Sequence, residues 1–304
     1  WNLRLSQNNP RPAFLKNWLS WLGIGLGILI ARLPWVCYKP MSRLLSFLLR
    51  HLLIRRGRIA RRNIELCFPE LSVEQQNSLW RNSFDSLAFS AFEFARGWWG
   101  HLRQRDIMLP IDGLHYLVDA NLAGKGVLLV SPHFTTLEYC NKILTQHVKM
   151  AGMYRPFDSE VLEWSVLNGR LQYGSMFKRD ELRSILRYLK SGGNLWFAPD
   201  QETRRGDSVF VPFFKQQALS LTSTHQLAKL SKVSVHPFFH MRMPDGSYHV
   251  EISPALEHFP SDDPVQDTVR VMAIFEQMIR RCPEQYLWVH ARFKRQPDGK
   301  SLYQ

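Results

Sequence analysis

Hydrophobic and polar positions follow two different patterns along the chain. In the first third, apolar residues recur at helical spacing. The longest such stretch runs from a capping box of Ser72 and Gln75 to about Trp99. From Gly126 onward, short and wholly apolar runs alternate with helical segments. The runs predict strands at 127–130, 195–198, 209–214, 233–239, 248–253 and 286–290, and the segments between them predict helices at 180–190, 218–231 and 265–281.

This alternation predicts the α/β fold class, with a mixed β-sheet core flanked by helices behind a helical N-terminal part. We expect residues 41–304 to form a single α/β domain. Residues 1–40 are expected to be an N-terminal membrane anchor with its flanks. Hydrophobic residues make up 45% of the chain and charged residues 21%, a balance that excludes wholesale disorder.

The expected anchor centres on an apolar run near the N-terminus. Residues 18–31, WLSWLGIGLGILIA, contain no charge, and Trp18, Trp21 and Trp35 flank the run as at a membrane–water interface. A spanning helix needs about 20 apolar residues, so the segment can either cross a bilayer or lie along it. A buried core helix followed by a solvated basic helix is the alternative.

The net charge of +13 is concentrated in the same region. Residues 1–64 hold twelve Lys or Arg residues and no acidic residue, so the rest of the chain is nearly neutral. Such a basic segment favours anionic lipid headgroups. No nucleic-acid motif accompanies the arginines, so we expect no nucleic-acid partner. Four widely spaced cysteines exclude a zinc motif or a disulfide framework, and we expect neither a metal nor a cofactor.

The segment most suited to chemistry follows the strand at 127–130. Nucleophile elbows, P-loops, HExxH pairs and dinucleotide-binding glycine motifs do not occur. His133 stands in the predicted strand-to-helix turn, and Glu138 in the first helical turn after it. A carboxylate that orients a histidine base could activate a substrate hydroxyl directly. Alternatively, Thr135 and Glu138 form an ordinary capping box.

Residues 133–138, HFTTLE, match the H-x4-E form of the H-x4-D/E motif of glycerolipid-type acyltransferases. From about residue 17 onward the chain resembles the bacterial late acyltransferases of lipid A biosynthesis, the lauroyl and myristoyl enzymes. The matching stretches are RRNIELCFPE (61–70), YRP (154–156), GR (169–170), KRD (178–180), FAPD (197–200), VFVPFF (209–214), PEQYLWVH (283–290) and RFK (292–294).

The resemblance implies a glycerolipid acyltransferase-like fold and a specific reaction. A laurate or myristate chain would pass from acyl carrier protein to a hydroxyl of a 3-hydroxyacyl chain on a Kdo-bearing lipid A precursor. His133 would act as the general base, and Glu138 would orient its ring. Enzymes of this family work at the cytoplasmic face of the inner membrane, held there by an N-terminal hydrophobic helix.

Five further residues are candidates for substrate binding. Arg155 follows a predicted strand end and suits a phosphate or sugar carboxylate, since guanidinium recognises both. Arg170, Lys178 and Arg179 suit the same groups or the acidic carrier protein. Asp200 matches a family block by position, where relatives carry Pro-Glu-Gly, and is expected to structure the pocket.

Two other functions remain open from the sequence. A glycerolipid acyltransferase acting on lysophosphatidic acid would share the base and the fold, although its Pro-Glu-Gly-Thr-Arg block is missing around Pro199. A non-enzymatic membrane protein that holds lipid in an apolar groove would use the basic N-terminus but would not require His133 and Glu138.

Overall fold

The computed structural model describes residues 11–172, 174–202 and 206–303, so residues 1–10 of the expected anchor lie outside it. Its N-terminal part is helical. The Ser72 side chain accepts a hydrogen bond from the backbone N–H of Gln75, and the Gln75 side chain accepts one from Ser72, which confirms the predicted capping box. The helices of this part are α1 (Trp18–Arg32), α2 (Tyr38–Leu52), α3 (Ile54–Cys67), α4 (Val73–Trp99), α5 (Gln104–Ile107) and α6 (Leu114–Leu122).

The rest of the chain alternates strands and helices, as predicted. The strands are β1 (Val127–Val130), β2 (Met150–Tyr154), β3 (Gly174–Lys178), β4 (Asn194–Phe197), β5 (Ser208–Phe213), β6 (Gln216–Leu221), β7 (Ser234–Arg242) and β8 (Tyr248–Ile252). The helices are α7 (Leu137–Leu144), α8 (Glu160–Leu171), α9 (Leu182–Lys190), α10 (Ser223–Ser231) and α11 (Pro264–Arg281).

A six-stranded sheet forms the centre of the described part, in the order β3-β2-β4-β1-β7-β8. Neighbouring strands run parallel except β8, which runs antiparallel to β7, so the prediction of a mixed sheet is confirmed. The wholly apolar β1 is buried along its entire length because helices cover both faces of the sheet. The carboxyl ends of β1, β2, β3, β4 and β7 therefore meet at one edge.

Two predicted elements differ from the structure. Residues 216–221 form β6, which pairs with β5 in a separate hairpin, and the helix predicted at 218–231 begins only at Ser223. The pairing with β5 supplies backbone hydrogen bonds that the periodicity could not indicate. Residues 286–290 form no strand but a turn after Pro283–Gln285, with one isolated bridge between Tyr286 and Phe134.

The predicted N-terminal membrane helix corresponds to α1 of the structure. Among the described residues, no single helix has the length and apolarity to span a membrane. The segments Leu15–Arg32 and Trp35–Leu52 satisfy that test only as a pair, with a bend of 113° between them. The N-terminal membrane helix therefore stays a prediction.

Candidate active site

His133 and Asp200 meet because their strands are neighbours in register. β1 and β4 run parallel with Val130 opposite Phe197, and each functional residue lies three positions beyond its strand end. Asp200 accepts a hydrogen bond from the backbone N–H of His133 at 2.9 Å. Its other carboxylate oxygen contacts Nδ1 of the His133 ring. One carboxylate thus holds both the backbone and the ring of the histidine.

Burial and charge act in opposite directions on this pair. The Asp200 side chain is fully buried, whereas 26% of the His133 side chain remains exposed. Burial alone would lower the pKa of His133, but the charge and the hydrogen bond of Asp200 outweigh it and raise that pKa above 6.5. Burial would raise the pKa of Asp200, yet the contacts with His133 lower it to about 2. Asp200 is therefore ionised at neutral pH.

The ionised carboxylate determines which ring nitrogen can act as a base. A carboxylate accepts hydrogen bonds and cannot donate one, so Nδ1 of His133 carries the hydrogen. Nε2 is then left with its lone pair available for a proton. The ring is also packed edge-on against Trp196, with 6.0 Å between the ring centroids. Trp196 is itself held by a 2.8 Å hydrogen bond from its Nε1 to the Ser131 hydroxyl.

The His133 loop is attached to the turn that follows α11. The carbonyl of His133 accepts a hydrogen bond from the backbone N–H of Leu287 at 3.0 Å, and the N–H of Thr135 donates to the Gln285 carbonyl at 2.8 Å. The buried Gln285 amide in turn exchanges two hydrogen bonds with the backbone of Arg242 on β7, at 2.8 and 2.9 Å. The sheet therefore fixes the histidine from two sides.

Glu138 lies where the sequence predicts, in the first turn of α7, but its partner differs from the expectation. The carboxylate that contacts the His133 ring is that of Asp200, and Glu138 instead binds the guanidinium of Arg170 at the end of α8. In this structure Asp200 occupies the Nδ1 side of the ring and Glu138 makes no hydrogen bond to it, so an orienting role for Glu138 stays a prediction. The alternative capping box is not formed either, since the Thr135 hydroxyl pairs with Ser86.

Next to this site lies a largely apolar pocket with an empty volume of about 550 Å³. Glu138 and Arg170 supply charged groups to the pocket wall. Trp196 also lines the pocket, and its ring packs against the ring of His133. The apolar walls of the pocket include Trp98, Leu137, Met150, Gly152, Met153 and Met176.

The other predicted binding residues remain at the surface. Arg155 follows β2 and makes an exposed ion pair with Asp158 at 3.4 Å. Lys178 and Arg179 lie at the carboxyl end of the edge strand β3 and are exposed. Within the described parts of the chain, no hydrogen bond or ion pair joins their side chains to His133. The structure thus brings together two pairs, His133 with Asp200 and Glu138 with Arg170.

Trp196 and Gln285 were not expected from the sequence as parts of the site. Trp196 has the signature of a core strand residue, and Gln285 lies directly before a segment predicted to be a strand. One available signal was that His133 and Asp200 each follow an apolar run by two or three positions. That spacing places both residues at the same edge only if the two strands are parallel neighbours.

Comparison with known proteins points to one family. A family model described as bacterial lipid A biosynthesis acyltransferase matches residues 6–295. The chain is 35% identical to a lipid A biosynthesis palmitoleoyltransferase of Escherichia coli K12, over 94% of each chain. It is 34% identical to the lipid A biosynthesis lauroyltransferase of the same organism, over 93% of this chain and 94% of the relative. A lipid A biosynthesis acyltransferase of Haemophilus influenzae is also 34% identical, over 99% of each chain.

Proposed function

This chain belongs to the bacterial lipid A biosynthesis acyltransferase family, and we propose that it transfers a fatty acyl chain to a hydroxyl of a lipid A precursor by general-base catalysis at His133. The observation that carries this proposal is the Asp200–His133 pair beside an apolar pocket. The pair supplies a base with a defined free nitrogen, and the pocket supplies room for a hydrocarbon chain.

The reaction begins with a proton transfer to His133. Nε2 takes the proton from a hydroxyl on a 3-hydroxyacyl chain of the acceptor as the hydroxyl oxygen attacks the thioester carbonyl carbon. The tetrahedral intermediate collapses with cleavage of the carbon–sulfur bond, and the protonated histidine returns its proton to the leaving thiolate. Asp200 stabilises the transient imidazolium, as its effect on the pKa of His133 indicates. The products are an ester and a free thiol.

The acyl chain of the donor occupies the apolar pocket in this proposal. Glu138 and Arg170 form its polar wall, and the aromatic rings of Trp98 and Phe157 lie 5.6 and 5.9 Å from the Arg170 guanidinium. The side chains of Arg170 and Glu138 are only 13% and 24% exposed, so this ion pair is largely buried in the pocket wall. We assign Arg170 to the carbonyl end of the acyl donor and Glu138 to holding Arg170 in place.

The donor in this proposal is acyl carrier protein, and the acceptor is a Kdo-bearing lipid A precursor. Arg155, Lys178 and Arg179 are exposed cations at the carboxyl edge of the sheet, where they suit the acidic carrier protein or the phosphates of the acceptor. Laurate and myristate remain the proposed acyl chains. Palmitoleate is added because one relative is named for it at an identity similar to that of the lauroyl relative.

The proposed location is the cytoplasmic face of the inner membrane, with residues 1–40 as the anchor. A lipid precursor stays in the membrane, so an enzyme that acylates it must work at that surface. The twelve cations and absence of acids in residues 1–64 favour an anionic leaflet.

The test is acyl transfer in detergent from lauroyl-, myristoyl- and palmitoleoyl-carrier protein to the tetra-acyl Kdo-bearing precursor. The wild type is expected to form a penta-acyl product, and His133→Ala is expected to lose at least about 100-fold in turnover. Acylation of a lysophospholipid in place of the precursor would establish the glycerolipid reaction. Lack of transfer to either acceptor would favour lipid binding without catalysis.

A further inference from the structure

Two consecutive helices near the N-terminus expose large apolar side chains to solvent. Among them are three leucines on α1 that are 57–64% exposed and three on α2 that are 42–74% exposed. Each set recurs at helical spacing and forms a stripe along its helix. We call these residues the apolar plate: Leu22, Leu26 and Leu29 on α1, and Leu44, Leu48 and Leu52 on α2.

The opposite sides of both helices are buried against α4. Ile24 and Ala31 are buried on α1, and Gly27 approaches Trp99 of α4 so closely that a Cβ there would lie 2.2 Å from the indole ring. On α2, the buried Ser46 hydroxyl donates to Asp85 of α4. Because both helices pack on α4, both stripes face away from it.

The bend between α1 and α2 allows both stripes to lie along one surface. The two helical segments diverge by 113° at a short break. Two axes that meet at a break define a plane, so both helices can lie along one surface at the same time. If α1 instead crossed the bilayer along its normal, α2 would lie near the interface and the α1 stripe would enter the deep acyl core.

Exposed cations border the plate. Lys39 and Arg43 lie on α2, and Arg55 and Arg58 lie on α3. No ion pair involving these four side chains occurs within residues 11–172, 174–202 and 206–303. Long basic side chains beside an apolar face can reach anionic headgroups while the leucines enter the acyl region.

The plate is also connected to the wall of the pocket. α1 packs on α8, where the rings of Trp21 and Trp164 are 5.5 Å apart. α8 carries Arg170 in its last turn, and α4 contributes Trp98 to the pocket. A bilayer seated on the plate would therefore lie beside the pocket.

We propose that the apolar plate, together with Lys39, Arg43, Arg55 and Arg58, docks flat into one leaflet of an anionic bilayer, so that α1 and α2 both enter the interface and neither crosses it. This proposal rests on the proposed function. It adds that α2 contacts the membrane together with α1, and that both helices lie along the bilayer surface. A second protein chain is the alternative occupant, and it is an outcome of the test.

The first test is flotation of the full chain with vesicles of phosphatidylethanolamine and phosphatidylglycerol. Leu44→Asp/Leu48→Asp is expected to weaken vesicle partition by at least about tenfold, because two apolar side chains lose their burial in lipid. The control is Leu122→Asp/Leu182→Asp, which charges leucines that are 82% and 48% exposed outside the plate. Unchanged flotation of the α2 variant, or dimerisation of the wild type through α2 without vesicle binding, would overturn the proposal.

A charge variant tests the same surface without altering the stripe. Lys39→Gln/Arg43→Gln is expected to lose about fivefold in affinity for each charge removed on anionic vesicles. The same variant should bind phosphatidylcholine vesicles as the wild type does, since those carry no net charge. Equal binding of wild type and variant to the anionic vesicles contradicts the assignment of these cations.

A depth probe distinguishes flat docking from spanning. An environment-sensitive fluorophore is attached to Leu26→Cys or Leu48→Cys in a Cys37→Ser background, where the remaining cysteines are buried. Flat docking predicts that both probes shift to the blue with vesicles and are quenched best by lipid brominated near the headgroup end of the acyl chain. If the α1 probe is quenched best by lipid brominated near the chain end, α1 spans the bilayer and the proposal fails. It also fails if only the α1 probe responds, because α1 alone then contacts lipid.

Acyl transfer in detergent separates this proposal from the reaction itself. Leu44→Asp/Leu48→Asp is expected to retain transfer in micelles while losing vesicle binding. If the wild type transfers no acyl chain in detergent, the proposed function fails, yet the flotation and depth measurements still decide the docking geometry.

Discussion

The substitution Asp200→Asn tests which carboxylate controls the histidine. The asparagine amide keeps the size of the side chain but offers one acceptor and one donor in place of two acceptors. If its oxygen retains the backbone N–H of His133, its NH₂ group faces Nδ1. Nδ1 must then accept a hydrogen bond, so the ring hydrogen moves to Nε2. The nitrogen that faces the substrate can no longer take a proton.

The expected loss follows from this exchange of tautomers. A mispositioned base costs about 10²–10⁴ in turnover, and we expect Asp200→Asn to fall in that range. The pKa of His133 should also fall, because burial still disfavours the imidazolium while the opposing charge is gone. The rise of turnover with pH, which follows loss of the histidine proton, should therefore move to lower pH in the variant.

The assay is turnover at saturating donor and acceptor in detergent, measured across about pH 5.5 to 9, the range in which histidine titrates. Asp298→Asn, a substitution on the exposed surface, is the matched control. Glu138→Gln is measured in parallel and is expected to keep the position of the pH profile. The reasoning is refuted if Asp200→Asn keeps wild-type turnover while Glu138→Gln shifts the profile, since Glu138 would then be the orienting carboxylate.

The same pair affects folding stability. The raised pKa of His133 means that its charged pair with Asp200 stabilises the fold fully below about pH 6.5, and that this contribution declines as pH rises through the raised value. The lowered pKa of Asp200 means that the contribution is present above 3.8 and is lost as pH falls towards about 2. The difference in melting temperature between wild type and Asp200→Asn should be largest from about pH 3.8 to pH 6.5. A difference that increased at alkaline pH would contradict this prediction.

Three further substitutions probe the pocket and the loop. Gly152→Val adds bulk against the side chain of Met176, which lies 3.3 Å from a Cβ at that position, and should shift donor preference to shorter chains by about fourfold per methylene in a competition assay. If the variant and the wild type prefer the same chain lengths, the acyl chain does not lie in this pocket. Arg170→Lys keeps the charge but not the planar fork that faces Glu138, and should raise the KM for the acyl donor about tenfold or lower turnover while leaving the pH profile in place. Gln285→Ala removes two hydrogen bonds to the backbone of Arg242 and should cost about 1–3 kcal/mol in a denaturant melt, with a lower turnover because the histidine loop loosens. If this variant keeps the wild-type turnover, the hydrogen bonds of Gln285 do not position the base.

Local patterns in the sequence determined much of the fold. The capping box before α4, the apolar run of β1 and the helix that begins at Pro264 all follow from spacing and capping rules that act over a few residues. The position of His133 in a strand-to-helix turn was predicted in the same way, because a buried strand and a helix start define the turn between them. The family resemblance also rests on linear motifs.

The partners of these residues were decided by the tertiary structure. Strand order is not written in any local pattern, and it is the pairing of β4 with β1 that brings Asp200 to His133 across 67 positions of sequence. The packing of α7 and α8 on α4 likewise brings Glu138 to Arg170. Gln285 lies directly before a predicted strand, and its hydrogen bonds join the histidine loop to β7. Short-range rules determine which helix, strand or turn contains a residue. Long-range packing determines which other side chains it contacts, and the chemistry of the site depends on those contacts.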